Sequence, residues 1–289
     1  MAQIIAGIGI AHTPSMGMEY DKGLAHGFDP RWGIWYEGTR PVRQWLEDLR
    51  PTQLVVVYND HLNHFDFDAY PTLAIGVADE FEQADEGWGK RPLPDLRGDP
   101  GFAIPLVEHM VRQSEADLTI CQTLKLDHGV YSWFPYLVDT PWNIPVTPIA
   151  VNMVRQPLPT SQRLARLGRQ IRAAVQANAA DERVVVIATG GMSHQISGAR
   201  FGISNQDFDR RFLKALPRNM DKLVAMPQEE YMRYGGTEAS ELSLWFAMRA
   251  ALSEQAQPVY DFYTSPQITG CGVLTMIEPE FANNTAQGA

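Results

Sequence analysis

Three apolar runs that each lead into a histidine constrain the fold of this chain more than any other feature. They are IIAGIGIAH at 4–12, LVVVYNDH at 54–61 and VVVIATGGMSH at 184–194. A short, continuous apolar run bounded by polar residues is typical of a strand buried on both faces. Ligands of open α/β sheets bind beyond the carboxyl ends of the strands, so we expect His12, His61 and His194 to share one site.

Helical patterns between these runs predict the rest of the architecture. The clearest covers 161–177, with apolar residues on one face and arginines on the other. Further helices are predicted at 41–49, at 102–113 and over about four turns that begin with Thr237 as N-cap. Further strands are predicted at 72–77, 118–121, 146–151 and 272–277. Alternating strands and helices predict an α/β fold with a central, largely parallel sheet flanked by helices.

Three segments lack a clean period. We expect residues 16–38 to form a long loop with short helical pieces, and residues 200–235 to form short helices. The acidic segment 79–100 is rich in glycine and proline, and it exceeds the usual loop of about 4 to 6 residues. We expect it to be a surface excursion. The chain is interpreted as one domain over 1–280, followed by a disordered tail over 281–289.

Composition excludes several classes of function. The formal net charge is −10, whereas nucleic acids and anionic membranes require a basic surface. Cys121 and Cys271 lie in apolar contexts, which favours buried free thiols in a reducing compartment. The first residues lack a basic region and no apolar run reaches the length of a membrane span. We therefore predict a cytoplasmic protein.

The histidines at the strand ends suggest a metal site that needs one further acid. Two imidazoles and one carboxylate form the facial triad of non-haem Fe(II) oxygenases. Glu241 is the best acid, because its neighbours on one face of a helix are all apolar, and a buried carboxylate is costly unless it is paired or binds a metal. Glu238 is less suited, because its neighbours include Glu241 and Arg249.

Structural explanations compete with this hypothesis. A histidine at a strand end is often only a hydrogen-bonded structural residue, and Glu241 could instead pair with Arg249. Gly190 and Gly191 could serve a tight turn that needs unusual backbone angles. His26, His64 and His109 are interpreted as surface or structural residues, and the chain has no phosphate-binding glycine motif.

Six motifs, taken together and in order, resemble the class III extradiol ring-cleaving dioxygenases. They are AHTPS around His12, Asn59-Asp60-His61, Ala84 to Gly89, Asp127-His128-Gly129, Gly190 to His194, and Gly236 to Leu242. The resemblance covers nearly the whole chain. It implies that His12, His61 and Glu241 bind Fe(II), that His194 is the acid/base, and that His128 is a second catalytic histidine of the pocket.

Two segments depart from the pattern expected for the protocatechuate enzymes of this family. Residues 130–134 are bulky, and residues 264–272 do not match the loop that binds the substrate carboxylate. Trp133 and Thr269, which lie in these segments, are the residues we expect to contact the substrate. These departures affect the ring substituents and leave the metal ligands unchanged.

The resemblance implies Fe(II)-dependent extradiol cleavage of a carboxylated catechol such as protocatechuate, with O2, in aromatic-acid catabolism. Gallate and 3-O-methylgallate are alternative substrates. Two other hypotheses are a Zn(II) enzyme on the same scaffold and a binding protein without catalysis.

The resemblance also implies partners. The protocatechuate enzymes pair the catalytic subunit with a small helical α subunit that covers the mouth of the active site. Either such a lid subunit or the segments 16–38 and 79–100 would cover the mouth in this protein. We expect a homo- or hetero-oligomer.

Overall fold

The computed structural model describes residues 1–138 and 142–284. Its strands are β1 (Gln3–Ile10), β2 (Gln53–Asn59), β3 (Leu73–Gly76), β4 (Glu80–Phe81), β5 (Leu96–Arg97), β6 (Thr119–Cys121), β7 (Val146–Val151), β8 (Arg183–Thr189), β9 (Gln257–Thr264) and β10 (Cys271–Ile277). Its α-helices are α1 (Pro14–His26), α2 (Pro30–Leu49), α3 (Pro100–Arg112), α4 (His128–Tyr131), α5 (Phe134–Leu137), α6 (Ser161–Ala177), α7 (Gln206–Val224), α8 (Gln228–Gly235) and α9 (Trp245–Ala251). Two 3₁₀ helices cover Thr237–Leu244 and Pro279–Asn284.

Eight strands form one sheet in the order β6-β3-β7-β2-β8-β1-β10-β9. The four central strands β7, β2, β8 and β1 run parallel to one another. On one flank β10 is antiparallel to β1 and β9 to β10, and on the other β3 is antiparallel to β7. The predicted α/β class with a central, largely parallel sheet is confirmed, and the antiparallel pairings are confined to the flanks.

Helix α9 packs closely on the sheet at two glycines of β1. Helix α9 lies against β1 and β8 and also contacts α6, which in turn contacts α3. A Cβ on Gly9 would lie 2.2 Å from the ring of Trp245, and one on Gly7 would lie 2.6 Å from the sulfur of Met248. Glycine at these two positions of β1 therefore makes room for side chains of α9.

Helix α6 matches its prediction at both ends. The side chain of Thr160 caps it by accepting a hydrogen bond from the backbone N–H of Arg163, 3.2 Å away. Leu164, Leu167 and Ile171 are fully buried. Burial of each such side chain contributes about 1.5 to 3 kcal/mol, which explains why a strong apolar stripe located this helix correctly.

The prediction of a long loop over 16–38 is wrong. The segment forms most of α1 and the first half of α2, which continues through Pro41 to Leu49. Trp32, Trp35 and Tyr36 are buried at helical spacing. The apolar stripe was therefore present, but the glycines and polar residues around it concealed the period.

The segment before the last strand also differs from the prediction. Strand β9 is an edge strand whose residues are mostly exposed or half-buried, and it was not predicted, because its sequence shows neither a continuous apolar run nor a regular alternation. Residues 206–224 form one helix of 19 residues that is kinked at Asn219, where short helices were expected.

The helix expected to begin at Thr237 starts as a 3₁₀ helix and becomes α-helical only at Trp245. Gly236 occupies the N-cap position with φ 95°. It has no side chain, so it cannot cap the helix with a side-chain hydrogen bond. The prediction of Thr237 as N-cap is therefore wrong.

The remaining predictions concern the tail, the cysteines and membranes. Residues 281–284 belong to a 3₁₀ helix rather than to a disordered tail, and residues 285–289 lie outside the described residues. Both cysteines are buried and free. None of the helices within the described residues is both long and apolar enough to cross a membrane.

Candidate active site

One cleft of about 360 Å³ collects the histidines that were predicted to meet. His12 and His61 follow β1 and β2 by two residues, and His194 follows β8, which lies between those strands. The cleft is lined by His12, Thr13, Pro14, His61, Asn63, Glu86, Trp88, His128, His194, Ile196, Glu238, Glu241 and Thr269. The carboxyl ends of three adjacent parallel strands therefore build this site.

Glu241 enters the cleft from the 3₁₀ helix Thr237–Leu244, which contacts the ends of β2 and β8. Its backbone lies so close to the turn after β8 that a Cβ on Gly190 would be 2.7 Å from the Glu241 carbonyl oxygen. Neither Gly190 nor Gly191 has a positive φ. The turn thus needs glycine for space, and the explanation by unusual backbone angles is wrong.

The carboxylate of Glu241 bridges two of the strand-end histidines, His12 and His61. Its Oε2 lies 3.3 Å from Nε2 of His12, and its Oε1 lies 3.3 Å from Nε2 of His61. Asn59 Nδ2 and the Gly191 N–H each donate a hydrogen bond of 2.9 Å to this carboxylate. The two N–H donors hold the carboxylate in one orientation, facing both imidazoles, and no pair with Arg249 is formed.

Thr189 fixes the orientation of His12. The Thr189 hydroxyl donates to the Gly129 carbonyl at 2.8 Å, and its oxygen lies 2.9 Å from Nδ1 of His12. Because the hydroxyl hydrogen is already used, the hydroxyl accepts the hydrogen of Nδ1. The Nε2 of His12 is then left as a lone pair, and it is buried without a hydrogen-bond partner among the described residues.

Asp127 fixes the orientation of His61 in the same way. Its Oδ2 accepts the His61 backbone N–H at 2.7 Å and lies 3.0 Å from Nδ1 of that ring. Its Oδ1 accepts the Gly129 N–H at 2.8 Å. Burial raises the pKa of Asp127, but the neighbouring His61 and His128 outweigh that effect and hold it well below its usual range. An ionised Asp127 keeps the hydrogen of His61 on Nδ1, so Nε2 faces Glu241.

The surroundings shift the pKa values of His12, His61 and Glu241 in different directions. Burial lowers the pKa of His12, and Glu241 offsets this only in part. Burial also acts to lower the pKa of His61, but Asp127 and Glu241 reverse the shift and raise it well above its usual value. Burial acts to raise the pKa of Glu241, but His12 and His61 hold it well below its usual value. The carboxylates of Asp127 and Glu241 therefore favour a positive charge at the point where His12, His61 and Glu241 meet.

A divalent metal fits this arrangement. Two ligands that each lie about 2.1 Å from one ion at right angles are about 3 Å apart, close to the two 3.3 Å separations found here. His12 Nε2 is an orphaned lone pair, which an ion would satisfy. The imidazoles of His12, His61 and His128 also bring one nitrogen each within 4.8 Å of one another. We favour Glu241 as third ligand because it reaches both His12 and His61.

His194 lies beside this group with one ring nitrogen free. Its Nδ1 lies 3.1 Å from the Met192 carbonyl, which can only accept, so the hydrogen is on Nδ1 and Nε2 is a lone pair. A Cβ on Gly191 would lie 2.3 Å from the ring, and one on Gly236 would lie 2.2 Å from the His194 carbonyl oxygen. The two glycines let His194 pack closely, and the residue is only 8% exposed in the cleft wall.

His128 is held by a residue whose role the sequence did not indicate. Glu86 accepts the His128 backbone N–H at 2.9 Å through Oε1 and lies 2.5 Å from its Nδ1 through Oε2. The ring of His128 lies against that of His61, with centroids 3.9 Å apart and the ring planes tilted by 30°. Glu86 comes from the segment between β4 and β5, so the predicted surface excursion contributes directly to the site.

Of the two residues that were predicted to contact the substrate, Thr269 lines the cleft and Trp133 does not. Thr269 lines the cleft and is 7% exposed. Trp133 is fully buried, donates its indole N–H to the Gly129 carbonyl at 2.9 Å and packs on Phe134. It does not belong to the described residues that line the cleft, so its bulk serves the core beneath the site.

Three residues of the site were missed as such. Thr189 is the last residue of β8, Asp127 precedes His128, and Glu86 lies in a recognised motif, but each acts on a histidine 42 to 177 residues away in the chain. The only local signal was their position at strand ends or beside histidines. Glu238 also lines the cleft, and its Oε2 is buried without a hydrogen-bond partner among the described residues.

Comparisons with known proteins identify relatives that are named as dioxygenases. Gallate dioxygenase of Pseudomonas putida is 32% identical over 195 residues, which cover 67% of this chain and 57% of that enzyme. A 2,3-dihydroxyphenylpropionate/2,3-dihydroxicinnamic acid 1,2-dioxygenase of Klebsiella pneumoniae is 24% identical and covers 84% of this chain and 88% of that enzyme. The chain thus spans little more than half of the first relative.

A solved structure supports the fold alone. The crystal structure of an uncharacterized protein from Escherichia coli K12 superposes with a TM-score of 0.59 at 14% identity, covering 95% of this chain and 99% of that one. The model of the catalytic LigB subunit of aromatic ring-opening dioxygenase matches residues 6–273. With nearly the whole chain matched and the strand-end site in place, this protein belongs to the family of catalytic LigB subunits of aromatic ring-opening dioxygenases.

Proposed function

We propose that this chain catalyses the Fe(II)-dependent extradiol cleavage of a carboxylated catechol, with O2 as co-substrate and protocatechuate as the first candidate. The observation that carries the proposal is that the carboxylate of Glu241 reaches the Nε2 atoms of both His12 and His61 at 3.3 Å, beside His194, whose Nδ1 is held by the Met192 carbonyl. Such an enzyme would act in the breakdown of aromatic acids. Its cytoplasmic location stays a prediction.

Iron is the proposed metal because of the donor set. Two neutral imidazoles and one carboxylate on one side of an ion leave the opposite positions open, which is the arrangement typical of non-haem Fe(II) oxygenases. When bound, reduced iron would supply open coordination positions and would pass electrons from the catechol to O2, so that the substrate itself is oxidised. Thr189 and Asp127 support this role, since each keeps the hydrogen of its histidine on Nδ1 and so frees Nε2 for the ion.

His194 is the proposed acid/base. Its Nδ1 hydrogen is held by the Met192 carbonyl, so Nε2 can take a proton from a catechol hydroxyl and return it later. The walls around it are close-packed, which keeps the ring in one orientation. His128, held by Glu86, is placed to hydrogen-bond a second polar group of the substrate through its Nε2.

The substrate carboxylate needs donors that the described cleft supplies only sparingly. Neither lysine nor arginine occurs among the described residues that line it. Thr269 and Asn63 offer neutral donors on the cleft wall. Trp88 and Ile196 are 53% and 60% exposed at the same cleft. A lid that covers these apolar side chains, such as a small helical subunit, would also complete the site for a carboxylate.

Gallate is the second candidate substrate, and Glu238 favours it. Gallate carries a third ring hydroxyl next to the diol, and the Oε2 of Glu238 is a buried acceptor without a partner among the described residues. A relative that is 32% identical bears the name gallate dioxygenase. The choice between the two substrates rests on which hydroxyl groups the cleft accepts.

The test is an oxygen-uptake screen on protein that is reconstituted with Fe(II) without air. Protocatechuate, gallate and 3-O-methylgallate are compared, with Zn(II)-loaded and metal-free protein as controls. We expect O2 consumption and a ring-opened product with Fe(II) alone. Full ring cleavage after complete removal of iron would overturn the proposal, and so would hydrolytic activity confined to the Zn(II) form.

A further inference from the structure

A second and larger cleft lies away from the active site. Its volume is about 1160 Å³, and it shares no lining residue with the active-site cleft. Helix α6, the kinked end of α7, the end of α9 and the start of β9 form its walls. Neither the motifs nor the proposed reaction uses any residue of this cleft.

The charge of this cleft is opposite to that of the protein. The chain carries a formal net charge of −10. The lining nevertheless includes five basic residues, Arg169, Arg172, Arg218, Lys222 and Arg249. Only two acidic residues, Asp221 and Glu254, line it. Three separate helices contribute these cations, so they do not form the solvated face of a single helix.

Arg249 is the strongest sign of a missing anion. It is only 8% exposed, and its Nε and Nη1 donate to the carbonyls of Pro217 and Ser253 at 3.2 and 2.9 Å. Within the described chain no carboxylate forms an ion pair with it. Burial lowers the pKa of this guanidinium, with Glu278 and Glu254 acting in the opposite direction. The carboxylates of Glu278, Glu254 and Asp221 act on Arg249 without forming an ion pair with it among the described residues, so its guanidinium can still take an anion from outside as a direct partner.

The other cations differ in how far they are neutralised. Arg172 is already paired with Glu278 at 2.7 Å. Arg169, Arg218 and Lys222 form no ion pair with any residue that the structure describes. Three exposed cations without an ion pair among the described residues therefore line the cleft together with the buried Arg249.

We propose that this cleft binds a small polyanion that carries phosphate groups or several carboxylates. Guanidinium groups bind phosphate and carboxylate oxygens through paired hydrogen bonds, and arginines from α6, α7 and α9 meet here. A ligand with at least two negative charges satisfies Arg249 together with the flanking Arg218 and Lys222. The cleft is several times larger than a single phosphate ion, which favours an anion with more than one charged group.

The test measures binding directly and does not depend on the proposed reaction. Pyrophosphate and citrate are titrated into the full chain by calorimetry at constant ionic strength, with sodium chloride as the salt control. The test variant is Arg218→Gln with Lys222→Gln, both in exposed positions of α7. The matched control is Arg211→Gln with Lys214→Gln. It also removes one arginine and one lysine from α7, but at positions that do not line this cleft.

We expect saturable binding of at least one probe, weakened at least tenfold in the test variant and unchanged in the control. Binding of pyrophosphate alone assigns a phosphate ligand, and binding of citrate alone assigns a polycarboxylate. Absence of binding by both probes overturns the proposal, as does equal weakening in both variants. A change of oligomeric state in the test variant without anion binding by the wild type would make the cleft a contact between copies, and would also overturn it.

Discussion

The hydroxyl of Thr189 holds the Nδ1 of His12 at 2.9 Å while it donates its own hydrogen to the Gly129 carbonyl. This chain of two hydrogen bonds determines which nitrogen of His12 is free. The hydroxyl group matters here, whereas the methyl group only fills space. The same Gly129 carbonyl also accepts from the indole of Trp133, so the buried aromatic residue is linked to the site through it.

Replacing Thr189 by valine should therefore weaken metal binding without removing a ligand. Loss of a hydrogen-bond partner behind a metal-binding histidine costs about 10- to 100-fold in metal affinity. Thr189→Ser is the control, because it keeps the hydroxyl. Chelator competition on both variants checks the prediction, and equal affinities would show that Thr189 does not orient His12.

Glu86→Gln should lower turnover while the metal content stays constant. A glutamine can accept only one of the two hydrogen bonds that Glu86 takes from His128, so the ring loses its fixed position, and such misplacement can cost about 10²-fold in rate. Glu82→Gln is the matched control in the same segment, since Glu82 is exposed and pairs with Lys90. The kcat and KM of each variant are measured separately. A fall in metal content of Glu86→Gln would instead indicate that His128 takes part in metal binding.

The contact between Glu86 and His128 shows where prediction from the sequence ends. Each strand-end histidine was found from an apolar run of four to eight residues, because burial on both faces leaves a clear pattern. Glu86 and His128 meet across 42 residues through loops, and no periodicity records such a contact. The 3₁₀ geometry around Glu241 was missed for a similar reason. An apolar stripe predicts a helix but does not distinguish 3.0 from 3.6 residues per turn over two turns.

His194→Ala should keep its metal and lose most of its turnover. General acid/base groups typically contribute about 10² to 10⁴-fold. Within the described part of the chain, His194 forms no hydrogen bond with Glu241, His12 or His61 that would mark it as a ligand. Metal per chain and ring-cleavage rate are measured on the same preparation. Loss of metal in this variant would make His194 a ligand.

The purified single chain should be active at a reduced level, because the described cleft is open beside Trp88 and Ile196. The segment 79–100 contributes Glu86 and Trp88 to the cleft, whereas no residue of 16–38 lines it. Addition of a lid subunit should lower the KM for a carboxylated catechol more than it changes kcat. Full activity of the single chain, with a KM that no added subunit lowers, would assign the lid to the segment 79–100.

Glu238 and Glu241 provide the sharpest test of the metal site, because they share one helix and one cleft. On the α-helix that the sequence predicts here, a separation of three residues would turn Glu238 about 60° away from Glu241. In the 3₁₀ helix Thr237–Leu244 residues three apart lie on the same side, so both carboxylates face the cleft. Direction alone therefore cannot identify the ligand, and the contacts must decide.

Glu241 is in contact with both strand-end histidines, whereas the Oε2 of Glu238 has no partner among the described residues. Glu241→Gln should sharply lower iron per chain, because it replaces a charged ligand by a neutral amide. Glu238→Gln should leave iron occupancy nearly intact and alter the KM for gallate more than that for protocatechuate, since only gallate offers the third hydroxyl. Iron analysis and the two KM values are measured on both variants. Loss of iron from Glu238→Gln, with retention in Glu241→Gln, would exchange the two roles, and the carboxylate that bridges His12 and His61 would then be a structural acid.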